Sequence, residues 1–471
     1  MERVLGMART ARIALAVAGC AAPVAVLALI AVYGVPVPTW DQWELVPLLE
    51  KFHAGELAFA DLWKQHNEHR LVAPLALMVS LAALTGWNIH WEFAASFVVA
   101  CGTFALLAGM LRATFGGRAP TWLLAVVSLI VFSLAQRENW LWGWQVQWFL
   151  CVFGCVLAAW ALQRWPGRTR GLVLALFGGL LATYSLSSGL LTWAAVLPQL
   201  SLHKQRSGRL LAAWCGAALL VFATYFVGFE TPPGHLPWSA CLTRPLEFLR
   251  YVATYLGLPL GAFDPVLAPF VGVATVIAFA LAASNVVRRE RRDFERLLPW
   301  CTLALFALLS AAATGVGRVG FGAAQALSSR YATIAGLLLL ATVVVIALAW
   351  EQRARAGENV SRGSRSLVAL LAALALAGHF ATARVGLRAA ADVCKRLTQA
   401  RSEWLAYPRT SRETFGVLYP IEHISLTRER SGTLRDLGYL LPPEADVPKD
   451  RKGARQRRAA AEDVPPAPAA K

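Results

Sequence analysis

Asp41 lies between two tryptophans in the hexapeptide TWDQWE, Thr39 to Glu44. A carboxylate held between indoles is partly desolvated, which suits it to act as a general base or as a cation ligand. The competing reading is an interfacial aromatic belt carrying a solvated acid, and it accounts for Trp40 and Trp43 more readily than for Asp41. Further on, KQHNEHR (Lys64 to Arg70) gathers two imidazoles, a carboxylate, an amide and a guanidinium just before an apolar stretch. His66 and His69, three residues apart, would share one face of a helical turn, with Glu68 and Arg70 beside them. The peptidase spacing H-E-x-x-H is absent, so a zinc site is not expected. His66, Asn67, His69 and Arg70 read as donors and acceptors for a polar, anionic substrate, and Glu68 joins Asp41 and Glu44 as a candidate catalytic carboxylate. A solvated helix start accounts for some of these residues.

QRENWLWGWQVQW (Gln136 to Trp148) is the densest aromatic stretch. Two readings stand side by side for it: a membrane-interface belt in which Arg137 and Glu138 pair with each other, or a sugar site. In the second, flat rings stack on pyranose faces and amides bond the hydroxyls, with Arg137, Glu138, Asn139, Trp140 and Gln145 as its candidates. The fourth patch, GRVGFGAAQALSSRYA (Gly317 to Ala332), is glycine-rich and leads into an apolar run. A lone arginine there would snorkel to lipid headgroups. Arg318, Arg330 and Tyr331 together point instead to a lipid-phosphate site, because guanidinium forks match phosphate oxygens.

These patches are islands in a chain of 471 residues that is 57% hydrophobic, with a mean hydropathy of +0.51. The apolar runs are too long for a soluble protein, so a polytopic membrane protein is expected. The net charge of +17 comes from short basic clusters between apolar runs. That is an orientation signal and argues against a nucleic-acid partner. The eight cysteines lack C-x-x-C spacing and imply neither a disulfide framework nor a metal site, although Cys241 and Cys394 lie outside the clear spans and could pair.

Apolar segments at residues 13–35, 92–111, 120–135, 147–163, 171–184, 188–202, 210–228, 267–287, 298–314, 332–350 and 366–383 predict about eleven crossings in an all-α transmembrane helical bundle. Placing Leu71 to Gly86 in the interface puts every basic cluster on one side, with the N-terminus in and the C-terminus out. All four polar patches then meet the outer face. The expected division is a membrane-embedded catalytic module over 1–383, with an outer loop at 36–91 carrying interfacial helices. A small outer segment at 384–441 and a disordered Pro/Ala-rich tail at 442–471 complete it.

With its first span, long outer loop, early acid in WDQWE and the GWNIHWE approach to the next span, the chain resembles the GT-C superfamily of integral-membrane glycosyltransferases over roughly residues 10–390. HNEHR, RENWLWGWQ and SSRY motifs link it to an uncharacterised bacterial branch. The resemblance implies a polyprenyl-phosphate-linked sugar as donor, a glycan, lipid or protein hydroxyl as acceptor, the bilayer as solvent and an active face on the periplasmic side of the bacterial inner membrane. It also implies that Asp41 is the catalytic base or a metal-associated acid. Gln42 stands where several members carry a second acid, with Glu44 as its candidate substitute. Asp41 and Glu68 would be the ligands of a divalent cation, Mg or Mn, if one is used. The rival functions are a lipid-linked glycan ligase or polymerase, and a polysaccharide or lipid flippase. The absence of an internal repeat and the largely uncharged spans weigh against transport.

Overall fold

The computed structural model describes residues 9–117, 119–231, 239–290, 293–358 and 362–439. The expected tail at 442–471 and Arg118 lie outside the described residues. After α1 (Arg9–Tyr33), the loop at 36–91 folds into α2 (Val46–Ala54), α3 (Phe59–Trp63), a two-stranded hairpin of β1 (Gln65–His66) and β2 (His69–Arg70), and α4 (Val72–Thr85). Then come α5 (His90–Thr114), α6 (Thr121–Val131), α7 (Arg137–Leu141), α8 (Val146–Arg164), α9 (Thr169–Thr183), α10 (Thr192–Ala195), α11 (Leu197–Leu202) and α12 (Gly208–Tyr225). The remainder is α13 (Ala240–Thr243), α14 (Pro245–Gly257), α15 (Leu267–Arg289), α16 (Phe294–Arg318), α17 (Ala332–Arg355), α18 (Arg362–Trp404), α19 (Arg412–Leu418) and α20 (Ile424–Asp436).

The protein is an α-helical, multi-pass membrane bundle. Among the described residues nine helical segments are long and apolar enough to cross a membrane: Ile13–Tyr33, His90–Thr114, Thr121–Leu141, Gly143–Arg164, Gly208–Tyr225, Leu267–Arg289, Phe294–Phe321, Ser329–Arg355 and Val368–Trp404. α17 is apolar around its whole circumference and sits at the centre, as such a helix must. Its Leu338, Ala341 and Val345 pack against Leu303 and Phe306 of α16, Cys151 and Cys155 of α8, and Tyr255 of α14.

The difference from eleven crossings is confined to residues 171–202. α9 has 15 residues, about 22 Å of helix, short of a ~30 Å hydrocarbon core. The next apolar run is broken into α10 and α11, with Pro198 near the start of α11. α9 and the broken run after it are consecutive in the chain and pack on each other through the Ser187–Leu191 turn. α8 and α9 cross closely because Gly154 and Gly178 face each other, where a Cβ on either would come within 2.4–2.5 Å of the other's carbonyl oxygen. Because the pair is adjacent in sequence, counting it or omitting it leaves the relative direction of every other helix unchanged. α4, at 14 residues, is likewise short of the ~20 that a crossing needs.

The bundle has two chemically distinct ends, fixed by the two ends of α16 and α17. At one end Asp293 accepts from Arg296 at 2.8 Å and Arg355 at 2.5 Å, Arg296 also reaches Glu351, and Lys204 pairs with Glu295 at 2.9 Å. At the other end lie Arg318 and Tyr331, together with the folded loop. α18 is a single helix of 43 residues that runs straight through the 383/384 boundary, because alanine, leucine and arginine predominate there and no proline interrupts them. α19 and α20 then fold back so that Trp404, Phe415, Leu418 and Leu434 share a core with Val35, Trp43 and Leu49 of the first loop.

Candidate active site

A cavity of about 460 Å³ lies at the loop end of the bundle. It brings together Asp41 and the His66–His69 turn from the loop, Gln145 from the tryptophan-rich stretch, and Arg318, Arg330 and Tyr331 from the ends of α16 and α17. One residue or more from each of the four polar patches thus meets in one place.

Asp41 stands on a tight 3-10 turn, Trp40–Leu45, entered through Trp40 at φ 50°. A tryptophan in left-handed backbone is strained, and such strain persists only where neighbours hold it. They do so on two sides. Toward the bundle, Gln42 donates to the buried Glu92 at 2.8 Å, and Glu92 accepts from Trp87 at 2.8 Å through its other oxygen. Gly143 must be glycine here, since a Cβ would lie 1.8 Å from Glu92 Oε2. Away from the bundle, Glu44 is held by Arg430 of α20 at 2.8 and 3.1 Å and by the Tyr419 hydroxyl at 3.0 Å. Burial opposes ionisation of Glu44, but its bonds to Arg430 outweigh that and keep the carboxyl below its usual range. Glu44 therefore anchors the turn from outside the cavity wall.

His66 and His69 are neighbours through strand pairing and not through a helical turn. β1 and β2 run antiparallel with His66 opposite His69, and Asn67 at φ 50° makes the reversal. Asparagine tolerates that conformation, so the sequence closes a hairpin where a helix start was expected. His66 Nε2 lies 3.8 Å from Asp41, and its ring packs edge-on against Trp144 at 5.1 Å. Asn67 Nδ2 is 3.2 Å from His66 Nε2. His69 Nδ1 accepts the Ser187 N–H at 3.2 Å, which leaves the ring proton on Nε2, 3.7 Å from Glu68. Burial pushes the His69 imidazole down to about 4, against the pull of Glu68. Glu68 is paired with Arg318 at 2.5 Å. Burial would raise its carboxyl, yet the charges of His69 and Arg318 hold it at about 2. Arg318 is the durable cause, since His69 is neutral near pH 7.

Arg70 is placed differently from its neighbours. It is buried and donates to the carbonyls of Tyr225 at 2.7 Å, Trp63 at 2.8 Å and Val227 at 2.5 Å, between the rings of Trp63 and Tyr225. A cation on the last carbonyls of α12 ties the hairpin to that helix.

The REN stretch stands behind the site. Glu138 N–H donates to Ser329 Oγ at 3.1 Å, and Asn139 donates to the Arg330 carbonyl at 2.9 Å and to Thr333 Oγ1 at 2.6 Å. Arg137 lies 3.9 Å from Glu138 and over the Phe263 ring, and the buried Trp140 donates to the Ser133 carbonyl at 3.0 Å. Glu138 and Asn139 fix the Ser329–Tyr331 turn from which Arg330 faces the cavity, while Arg137 and Trp140 brace the REN stretch itself. Tyr331 stacks on Tyr255 at 4.7 Å, and its hydroxyl accepts from Gln325 at 2.8 Å. Among the described residues no ion pair engages Arg330.

The opposite wall is apolar. It contains Phe222 and Tyr225 on the last turn of α12, Phe226 at its C-cap and Phe229 just beyond, at a spacing of i, i+3, i+4, i+7. That spacing was a readable signal. Ser187 and Ser188, which also line the cavity, carried none, because they sit on the turn after α9 inside an otherwise apolar run.

Asp41 and Glu68 do not fit a divalent cation. Among the described residues no three His, Cys, Asp or Glu side chains gather around a common point. Glu68 is already neutralised by a guanidinium, whose fixed charge opposes a dication. No protein-family model, curated protein or solved structure matches the chain.

Proposed function

We propose that the protein is a membrane glycosyltransferase that moves a sugar from a polyprenyl-phosphate donor to an acceptor hydroxyl. The observation that carries this reading is the two-sided cavity. One wall offers Asp41, two histidines, amides and two arginines, while the other is an aromatic face continuous with the exposed side of α12, where Phe222, Phe226 and Val227 lie open. An amphiphile with an anionic head and a long apolar tail matches both walls. The end of the 18-residue α12 borders the cavity on its apolar side, which favours admission of the donor sideways from lipid.

In this mechanism the prenyl chain lies along α12 and the phosphodiester binds Arg330, whose charge is uncompensated, with Arg318 beside it. The acceptor oxygen attacks the anomeric carbon and its proton passes to Asp41. The bond from that carbon to the phosphate oxygen breaks, and the electron pair leaves with the lipid phosphate. The arginines stabilise the charge that develops there, with Arg318 itself held by Glu68. The step needs no metal. The active end faces the periplasm of a bacterial inner membrane, because the opposite end carries the basic clusters.

The test is a transfer assay with polyprenyl-phosphate sugars on protein in lipid nanodiscs. Asp41→Asn should abolish transfer while leaving donor binding intact, whereas Arg330→Gln should weaken binding. Equal transfer by wild type and Asp41→Asn would remove Asp41 from the chemistry.

A further inference from the structure

Gln147 is 4% exposed and lines the cavity as the second residue of α8. Its Nε2 donates to Gln145 Oε1 at 3.5 Å, which orients the amide. Its Oε1 has no hydrogen-bond partner among the described residues, and neither does Glu68 Oε2 across the same cavity. A buried amide oxygen without a donor is destabilising, so such atoms mark places where a ligand completes the bonding. Both are acceptors, and that decides the class of ligand. A phosphodiester carries no O–H and would be repelled by them, whereas a sugar ring carries several. Trp144 and Trp148, four residues apart on either side of Gln147, line the same wall and supply flat apolar faces.

We infer that this wall is a monosaccharide subsite in which a sugar hydroxyl donates to Gln147 Oε1, separate from the phosphate subsite at Arg330. The inference rests on the reading that a sugar-bearing lipid occupies this cavity. It assigns the two ends of the donor's head: the sugar toward α8, the phosphate toward the turn before α17. The proposal makes Gln147 a specificity residue, since it senses the hydroxyl pattern and not the charge.

The experiment uses the full chain in nanodiscs, with binding followed by native mass spectrometry. The probes are undecaprenyl phosphate, a panel of undecaprenyl-phosphate monosaccharides, and octyl glycosides of the same sugars, which lack phosphate. Gln147→Met keeps the bulk and removes the acceptor. Wild type should favour at least one glycosylated lipid over bare undecaprenyl phosphate by about tenfold, the weight of one or two hydrogen bonds. Gln147→Met should lose that preference while binding the bare lipid within about twofold of wild type, which also shows that the variant is folded. A variant that keeps the preference, or that loses both lipids equally, overturns the subsite. If wild type binds neither lipid, the lipid-donor reading falls and the octyl glycosides decide the subsite. It stands if wild type binds one of them and Gln147→Met does not, and it falls if neither protein binds any.

Discussion

Arg430→Met tests whether the C-terminal helices hold the turn that carries Asp41. Arg430 spans both oxygens of Glu44 at 2.8 and 3.1 Å, and its side chain is 11% exposed against 33% for Glu44. Breaking a fully buried pair by removing one partner costs about 3–5 kcal/mol, while an exposed pair is worth ~0–1. With Glu44 a third exposed, an intermediate loss of about 2 kcal/mol is expected, since water screens part of the interaction. If that loss falls on local opening of Trp40–Leu45, amide exchange there speeds up about thirtyfold, at ~1.4 kcal/mol per factor of ten. Hydrogen–deuterium exchange of the full chain in nanodiscs, read on peptides across 36–46 and on 293–300 at the far end, measures this directly. Adding Glu44→Gln to the variant removes the stranded charge and should recover most of the protection. Unchanged exchange at 36–46, or an equal rise at both ends, would refute the view that α20 holds the turn.

Asn139→Leu removes the bonds to the Arg330 carbonyl and Thr333, so the Arg330 turn loosens. The Kd for undecaprenyl phosphate should rise about tenfold, at roughly 1–1.5 kcal/mol for the lost bonds, while affinity for octyl glycosides stays as in wild type. His69 gives a pH signature. Its folded pKa of about 4 lies below the ~6.5 of the unfolded chain. The unfolded state therefore binds the extra proton, and the stability from His69 is full above pH ~6.5 and lost as pH falls toward 4, by about 1.4 kcal/mol per unit. Thermal unfolding from pH 7.5 to 4.5 should show that slope in wild type and a shallower one in His69→Asn. Chelation by EDTA should leave transfer unchanged, and loss of transfer restored by Mg or Mn would refute the cation-free arrangement of Asp41, Glu68 and Arg318.

Most of the bundle was legible because long apolar runs have one stable form in lipid, a helix that satisfies its own backbone. Hydropathy does not register length against packing, and this is why residues 171–202 read as two ordinary crossings. α9 ends at Thr183, where the chain breaks into the Ser187–Leu191 turn, and it is held against α8 by the close contact of Gly154 and Gly178, a property of the pair and not of either segment. The hairpin at Lys64–Arg70 was missed for a local reason. Histidines three apart suit a helix and a four-residue reversal equally, and the choice falls to Asn67 accepting a left-handed backbone. The continuity of α18 through residue 384 was hidden by its charge, which resembles a solvated segment until α19 and α20 give its end an apolar partner.

The candidate site shows why a polar patch at the end of a membrane bundle is an ambiguous sign. Each patch divides into residues that face the cavity and neighbours that hold them there. Asp41 faces in, while Gln42 and Glu44 bind Glu92 and Arg430. His66, Glu68 and His69 face in, while Arg70 satisfies three carbonyls. Arg330 faces in, while Asn139 from another patch holds its backbone. Irregular backbone near the membrane must have every N–H and C=O satisfied within the protein. A loop that presents one reactive group therefore needs several polar side chains that present nothing. Residue type cannot separate the two roles, because an amide or a guanidinium serves both. The separation comes from what each side chain's polar atoms already bind and whether it reaches the cavity, which is why Arg70 belongs to the scaffold, while Arg330 and Gln147 are cavity-lining groups with bonding left for a ligand.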